Sequence, residues 1–190
     1  YLEARGTVLS QDLFVETLDI ASGAVQVGVT LVNAQAQPRT VTVKTAVADG
    51  PSAENTYTVP ACGTLPVTMQ MTIANPHLWT ANDPYRYTLT VTVTDGDSVD
   101  SLSQKFGMRT VGVEGTKVLV NGEAVFLTGM LHWGSYYDNY TPAVSMEQVR
   151  REITALKEDG FNAIKYCLLS PPDYVLELCD ELGMYVYIEY

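Results

Sequence analysis

The chain has 190 residues with a formal net charge of −11, 46 % hydrophobic and 17 % charged. That composition supports a packed core and argues against wholesale disorder. The acidity, with no run of Lys or Arg, argues against a nucleic-acid binder. No stretch is long and apolar enough to span a membrane, and no leader pattern stands at Tyr1. The composition says nothing about compartment beyond a water-soluble character. Three scattered cysteines, Cys62, Cys167 and Cys179, fit neither a disulfide framework nor a zinc site. Cys167 and Cys179 lie in apolar segments and are expected to be buried free thiols.

The first half alternates with period two. Val25, Val27, Val29 and Leu31 form one run; Val41, Val43, Thr45 and Val47 another; Leu65 to Ile73 and Tyr87 to Val93 repeat it. Such alternation marks strands with one buried face. Turn signals at Ser22-Gly23, Gln37-Pro38, Asp49-Gly50-Pro51 and Asp95-Gly96-Asp97 separate the runs. With Leu13–Asp19 and Val99–Phe106 added, the count approaches the seven short strands of an immunoglobulin-like β-sandwich, without the Cys…Trp…Cys set of antibody domains.

The second half changes period. Asn121-Gly122 between two apolar runs is a hairpin signal. Ser145, with Gln148 three residues on, opens a helix whose apolar face is Met146, Val149, Ile153 and Leu156, and Gly160 stops it. Phe161–Cys167 reads as a strand. Pro171-Pro172 precede a second helix with Val175, Leu178, Cys179 and Leu182 on one face, ended by Gly183, and Met184–Glu189 reads as a third strand. Strand, helix, strand, helix, strand implies parallel pairing with right-handed crossovers. Periodicity alone leaves a doubly wound sheet and a barrel open. A nucleotide-binding version of the former lacks a Gly-rich phosphate loop.

Five blocks around the junction resemble glycoside hydrolase family 2, the β-galactosidase, β-glucuronidase and β-mannosidase group. They are Asn75-Pro76-His77-Leu78-Trp79 with Asp83-Pro84-Tyr85-Arg86-Tyr87; Phe106-Gly107-Met108-Arg109; Leu119 to Leu127 around Asn121-Gly122; Gly160-Phe161-Asn162-Ala163-Ile164-Lys165; and Leu178-Cys179-Asp180-Glu181-Leu182-Gly183-Met184. The resemblance implies a mostly β plus α/β chain: an immunoglobulin-like β-sandwich over 1–108, with 1–8 as a linker from a preceding domain, then the first strands and helices of an incomplete TIM (β/α)8 barrel over 109–190. Trp79 is expected to be a packing anchor at the start of a sandwich strand.

The implied function is hydrolysis of O-glycosidic bonds by a larger parent. Such a retaining glycosidase uses two carboxyl groups about 5 Å apart. In the family these are Glu residues after barrel strands four and seven, so both are expected beyond this chain and the isolated chain is expected to be inactive. A non-catalytic immunoglobulin-like binding module is the alternative, and the barrel-type blocks speak against it. The departures are Leu131-His132-Trp133-Gly134 where the family has an Asn-Arg-His run, Lys165 where it often has Arg, and Thr128 where it often has Arg. No cofactor or metal is implied.

Barrel sites form at the C-terminal ends of strands. The segment from His132 to Tyr140 is therefore the candidate sugar contact: Trp133, Tyr136, Tyr137 and Tyr140 offer flat faces, and His132 and Asp138 could bond hydroxyls. The plainer reading is that these aromatics pack the loop. Lys165 reads equally as a buried ion pair or a polar contact at the mouth, and Glu189 as a binding carboxylate or a structural hydrogen-bonding group. The partners expected are a carbohydrate in the parent, neither nucleic acid nor membrane, and self-association of the isolated chain through the barrel remnant.

Overall fold

The structure is a computed structural model, and it describes residues 5–134, 145–168 and 170–189. The chain divides into two compact units, Tyr1–Pro76 with Tyr87–Met108, and His77–Arg86 with Arg109–Tyr190.

The first unit is two antiparallel sheets. One holds β1 (Val8–Asp19), β2 (Ala24–Asn33) and β5 (Gly63–Thr72) in the order β1-β2-β5. The other holds β3 (Arg39–Val47), β4 (Ser52–Val59), β6 (Tyr87–Asp95) and β7 (Ser98–Phe106) in the order β4-β3-β6-β7. The alternating residues read from the sequence are the core: Val25, Val27, Leu31, Val41, Val43, Leu89, Val91 and Val93 are at most 1 % exposed. β4 escaped the periodicity because it is an edge strand with only Val59 fully buried.

β1 starts earlier than expected. Val8, assigned to a linker, is 1 % exposed within the strand. A register break at Asp12 (φ 53) separates that buried half from the more exposed half, which holds the expected strand Leu13–Asp19. Ser10, also buried in this half, has a charged partner. Ser10 donates to Asp100 Oδ2 from its hydroxyl at 2.6 Å and from its N–H at 2.7 Å, and the Arg5 guanidinium donates to the same carboxylate. Burial alone would raise the Asp100 pKa. The Ser10 and Arg5 hydrogen bonds outweigh it and hold the carboxyl below its ordinary value.

The second unit begins with an antiparallel meander, β8 (Val111–Glu114), β9 (Lys117–Val120) and β10 (Glu123–Val125). Asn121 and Gly122 both have positive φ, 54° and 81°, as a type I′ hairpin turn requires. Then β11 (Gly129–His132), β12 (Ala163–Cys167) and β13 (Tyr185–Glu189) pair in parallel in that order. They are linked by α1 (Met146–Glu158) and α2 (Asp173–Leu182). The Ser145 hydroxyl caps α1 by accepting from the Gln148 N–H. One side of the sheet and the two helices share an apolar core: Val149, Ile153, Leu156, Ile164, Tyr166, Val175, Leu178, Cys179 and Met184. Met146, expected on that face, is 51 % exposed, since the first helical turn reaches past the core.

The segment 77–86 groups with this second unit, and so does its tryptophan. Trp79 is 1 % exposed. Its indole N–H donates to the Asp180 carbonyl at 2.7 Å, and Arg109 stacks 4.5 Å over the ring while bonding the Asp180 carboxylate at 2.8 Å. Asn121 donates to the Trp79 carbonyl at 3.0 Å. Lys157 donates to the carbonyls of Ala81 and Gly183.

Gly183 ends α2 at φ 74 in the left-handed region, and a Cβ there would stand 2.2 Å from the Ala81 carbonyl oxygen. Gly160, at φ 86 after α1, has nothing within 4 Å of that position. Gly160→Ala should therefore cost only the backbone conformation, roughly 1–2 kcal/mol. Gly183→Ala should cost clearly more, because a backbone atom must move as well. Urea unfolding of the two variants side by side checks the ranking.

Candidate functional site

A parallel strand sends alternate residues to opposite faces. On the sheet β11-β12-β13 the row Met130, Ile164, Val186 faces the helices, and the next row, Leu131, Lys165, Tyr187, faces away from them. Leu131 is 48 % and Tyr187 57 % exposed. The register continues to the pair Cys167 and Glu189 at the C-terminal ends. In a closed barrel this second face is the interior and these ends form the mouth.

Lys165 and Glu189 come together there, Nζ to Oε2 3.1 Å, with Lys165 also 5.4 Å from the centre of the Tyr187 ring. The hydrogen bond to Glu189 raises the Lys165 pKa. Bonds from Lys165 and then Cys167 lower that of Glu189. Partial burial and the Glu189 carboxylate raise the Cys167 thiol, which therefore stays protonated near neutrality. Of the two cysteines expected to be buried, only Cys179 is: it is 1 % exposed, with its thiol pushed up to about 12 by burial. Cys167 is half-buried because its position in the strand turns it to the opposite face.

His132 does not join Lys165 and Glu189. It is 8 % exposed and in register with Tyr166, on the helix side. Its Nε2 lies 3.1 Å from Glu152 on α1, and its Nδ1 accepts from the Gly134 N–H at 2.7 Å. Both ring nitrogens of His132 thus face protein partners, Glu152 and the Gly134 N–H. Trp133, just past β11, is 62 % exposed. Tyr136, Tyr137, Asp138 and Tyr140 lie outside the described residues.

Three residues of this arrangement were missed by the sequence reading. Cys167 and Tyr187 stand two positions from Lys165 and Glu189, so strand alternation could have found them. Glu152 sits at the i+3 place in the stripe Val149, Ile153, Leu156, and a carboxylate in an apolar stripe is itself a signal. A shallow depression lined by Ala81, Val125, Phe126, Asn162 and Tyr185 lies at the strand starts, the end of a barrel associated with stability rather than chemistry. Among the described residues no His, Cys, Asp and Glu side chains gather as a metal cage, and no helix is long and apolar enough to cross a membrane.

The paired pKa shifts make a titration prediction. A carboxyl lowered on folding adds stability above its unfolded pKa and loses it as pH falls through the lowered value. A lysine raised on folding loses its contribution only as pH rises through the raised value. The Lys165–Glu189 pair should therefore persist from below the ordinary glutamate range to above the ordinary lysine range. Lys165→Met should move the Glu189 carboxyl pKa upward, read by carboxyl-carbon NMR titration.

Known proteins share both the sequence and the fold. A family profile described as glycosyl hydrolases family 2 matches residues 8–109, and one described as the family 2 TIM barrel domain matches residues 111–190. A β-galactosidase of Psychromonas ingrahamii is 29 % identical over 119 residues, 62 % of this chain and 11 % of that protein. A β-galactosidase of Lactococcus lactis subsp. lactis is 33 % identical over 117 residues, 60 % of this chain and 12 % of that protein. The chain thus spans about a tenth of the length of these relatives. A family 2 β-galacturonidase of Eisenbergiella tayi, solved with galacturonate bound, superposes with a TM-score of 0.89 at 16 % identity, over 97 % of this chain and 33 % of that one. An exo-chitosanase of Amycolatopsis orientalis superposes at 0.84 and 20 % identity, over 97 % and 23 %. With profiles matching nearly its whole length and the sandwich and parallel strands in the matching order, the chain belongs to glycoside hydrolase family 2.

Proposed function

We propose that this chain is the sandwich and the opening of the catalytic barrel of a retaining glycosidase. The observation that carries this reading is the pair of profile matches in tandem, with a parallel sheet that presents a polar and aromatic face. Lys165, Glu189 and Tyr187 line the mouth side of that face, and the exposed Trp133 indole offers an apolar platform for the C–H face of a sugar ring. The two catalytic carboxylates belong to later strands of the barrel in the full-length enzyme. The domain boundary falls near Met108, with 77–86 packed on the barrel side of it.

The test is turnover of a panel of aryl glycosides by the full-length enzyme, including a β-galactoside and a β-galacturonide. Hydrolysis of at least one is expected, and the 190-residue chain alone should hydrolyse none. Trp133→Ala in the full-length enzyme should lower kcat/KM by about tenfold, the equivalent of ~1.4 kcal/mol. Inactivity of the full-length enzyme on every member would refute the reading. The sheet also leaves one side of β11 and one side of β13 unpaired among the described residues. Self-association of the 190-residue chain through those edges belongs to the same reading, and light scattering coupled to size exclusion checks it.

A further inference from the structure

The end of β11 carries a hydrogen-bond array with no part in the chemistry proposed above. The His132 ring is held at both nitrogens. The Gly134 N–H donates to Nδ1 at 2.7 Å, so Nδ1 is an acceptor and carries no proton. The ring proton is then on Nε2, which faces Glu152 Oε1 at 3.1 Å. Tyr166 flanks the ring, centroid to centroid 5.2 Å. The bond from a side-chain acceptor to the N–H two residues on is the one that Asn and Asp make in tight turns. Here an imidazole makes it, and Gly134 stands at φ 73, in the left-handed region. Trp133 stands between the two tied residues, and its own side chain is 62 % exposed.

We infer that His132 is a positioning residue: it ties the turn 132–134 to helix α1 through Glu152 and thereby sets where the Trp133 indole stands at the C-terminal end of β11. Without the Nδ1 acceptor, the buried Gly134 N–H loses its partner and the turn loses its closure. Without the Nε2 contact, the ring loses the anchor that points Nδ1 at Gly134. The effect on turnover rests on the reading of Trp133 as a sugar platform. The tie itself does not.

Two measurements on the 190-residue chain test the tie. The chain has two histidines, so nitrogen-15 histidine labelling gives two ring systems, and His77→Gln assigns them. His132 should show a protonated Nε2 and an unprotonated Nδ1. The chain also has two tryptophans, so fluorotryptophan labelling gives two fluorine lines, and Trp133→Phe assigns them. His132→Ala should shift and broaden the Trp133 line. His132→Asn, whose side-chain oxygen can accept from the Gly134 N–H, should restore it. His132→Gln, whose extra methylene carries the amide past the Nδ1 position, should not. An Nδ1-protonated His132 overturns the inference, as does a Trp133 line that responds alike to Asn and Gln. These two readouts decide the matter even if His132→Ala fails to fold.

In the full-length enzyme His132→Ala should lower kcat/KM by at least about tenfold, because small misplacements of a contact are costly. It should add nothing in a Trp133→Ala background. A shifted Trp133 line with unchanged turnover would uphold the tie and remove Trp133 from the site.

Discussion

The burial of Trp79 is the constraint around which the second unit is organised. A large indole inside a small unit needs a partner for its N–H, and the Asp180 carbonyl in α2 supplies it. Arg109 covers the ring and bonds the Asp180 side chain, so one cation joins the segment after β7 to the helix and the indole at once. Asn121, at the hairpin turn, reaches the Trp79 carbonyl, and Tyr185 at the start of β13 meets the ring edge-on, 5.7 Å between centroids. Arg86 extends the clamp to Glu181, which Arg150 on α1 also bonds. These two guanidinium groups hold the Glu181 carboxyl below its ordinary pKa against a smaller effect of burial.

This gives the family-like sequence blocks a physical meaning. Trp79, Arg109, Asn121 and Asp180 come from four of the five blocks, and they touch one another. The fifth block contributes Asn162, whose side chain accepts from the Thr128 N–H and donates to the Phe126 carbonyl, fixing the approach to β11 against the start of β12. In this chain these residues together assemble the contacts around Trp79 and the entry to β11. They lie toward the strand starts and the helices, and the contacts described for them do not reach Lys165, Tyr187 or Glu189.

The opposite end of the strands is built differently. There the side chains are held in pairs: Lys165 by Glu189, and His132 by Glu152 and Gly134. The exposed aromatic and aliphatic side chains, Leu131, Trp133 and Tyr187, share the end or face that carries Lys165 and Glu189. Among the described residues helices cover one side of this sheet, and the other side mixes the Lys165–Glu189 ion pair with exposed Leu131 and Tyr187.

The sequence by itself determined the architecture. Period-two alternation placed four of the sandwich strands, and Leu13–Asp19 and Val99–Phe106 were read as two more. Asn121-Gly122 placed the hairpin, the Ser145 cap started α1, and Gly160 and Gly183 marked the helix ends, since each of these depends on a local backbone preference. Local signals failed where burial depended on a distant partner. Ser10 is buried on the Asp100 carboxylate, ninety positions away, and no pattern near Ser10 announces that partner. Trp79 looked like part of the sandwich because it precedes a sandwich strand, yet its partners come from 109–185. Tertiary structure also decided the roles in the candidate site. Strand parity separates His132 from Lys165 and Glu189 by turning adjacent positions to opposite faces. The charge on a helix, Glu152, then decides which way the imidazole is used. A one-residue difference in register reverses a side chain's surroundings, and only the paired strands fix that register.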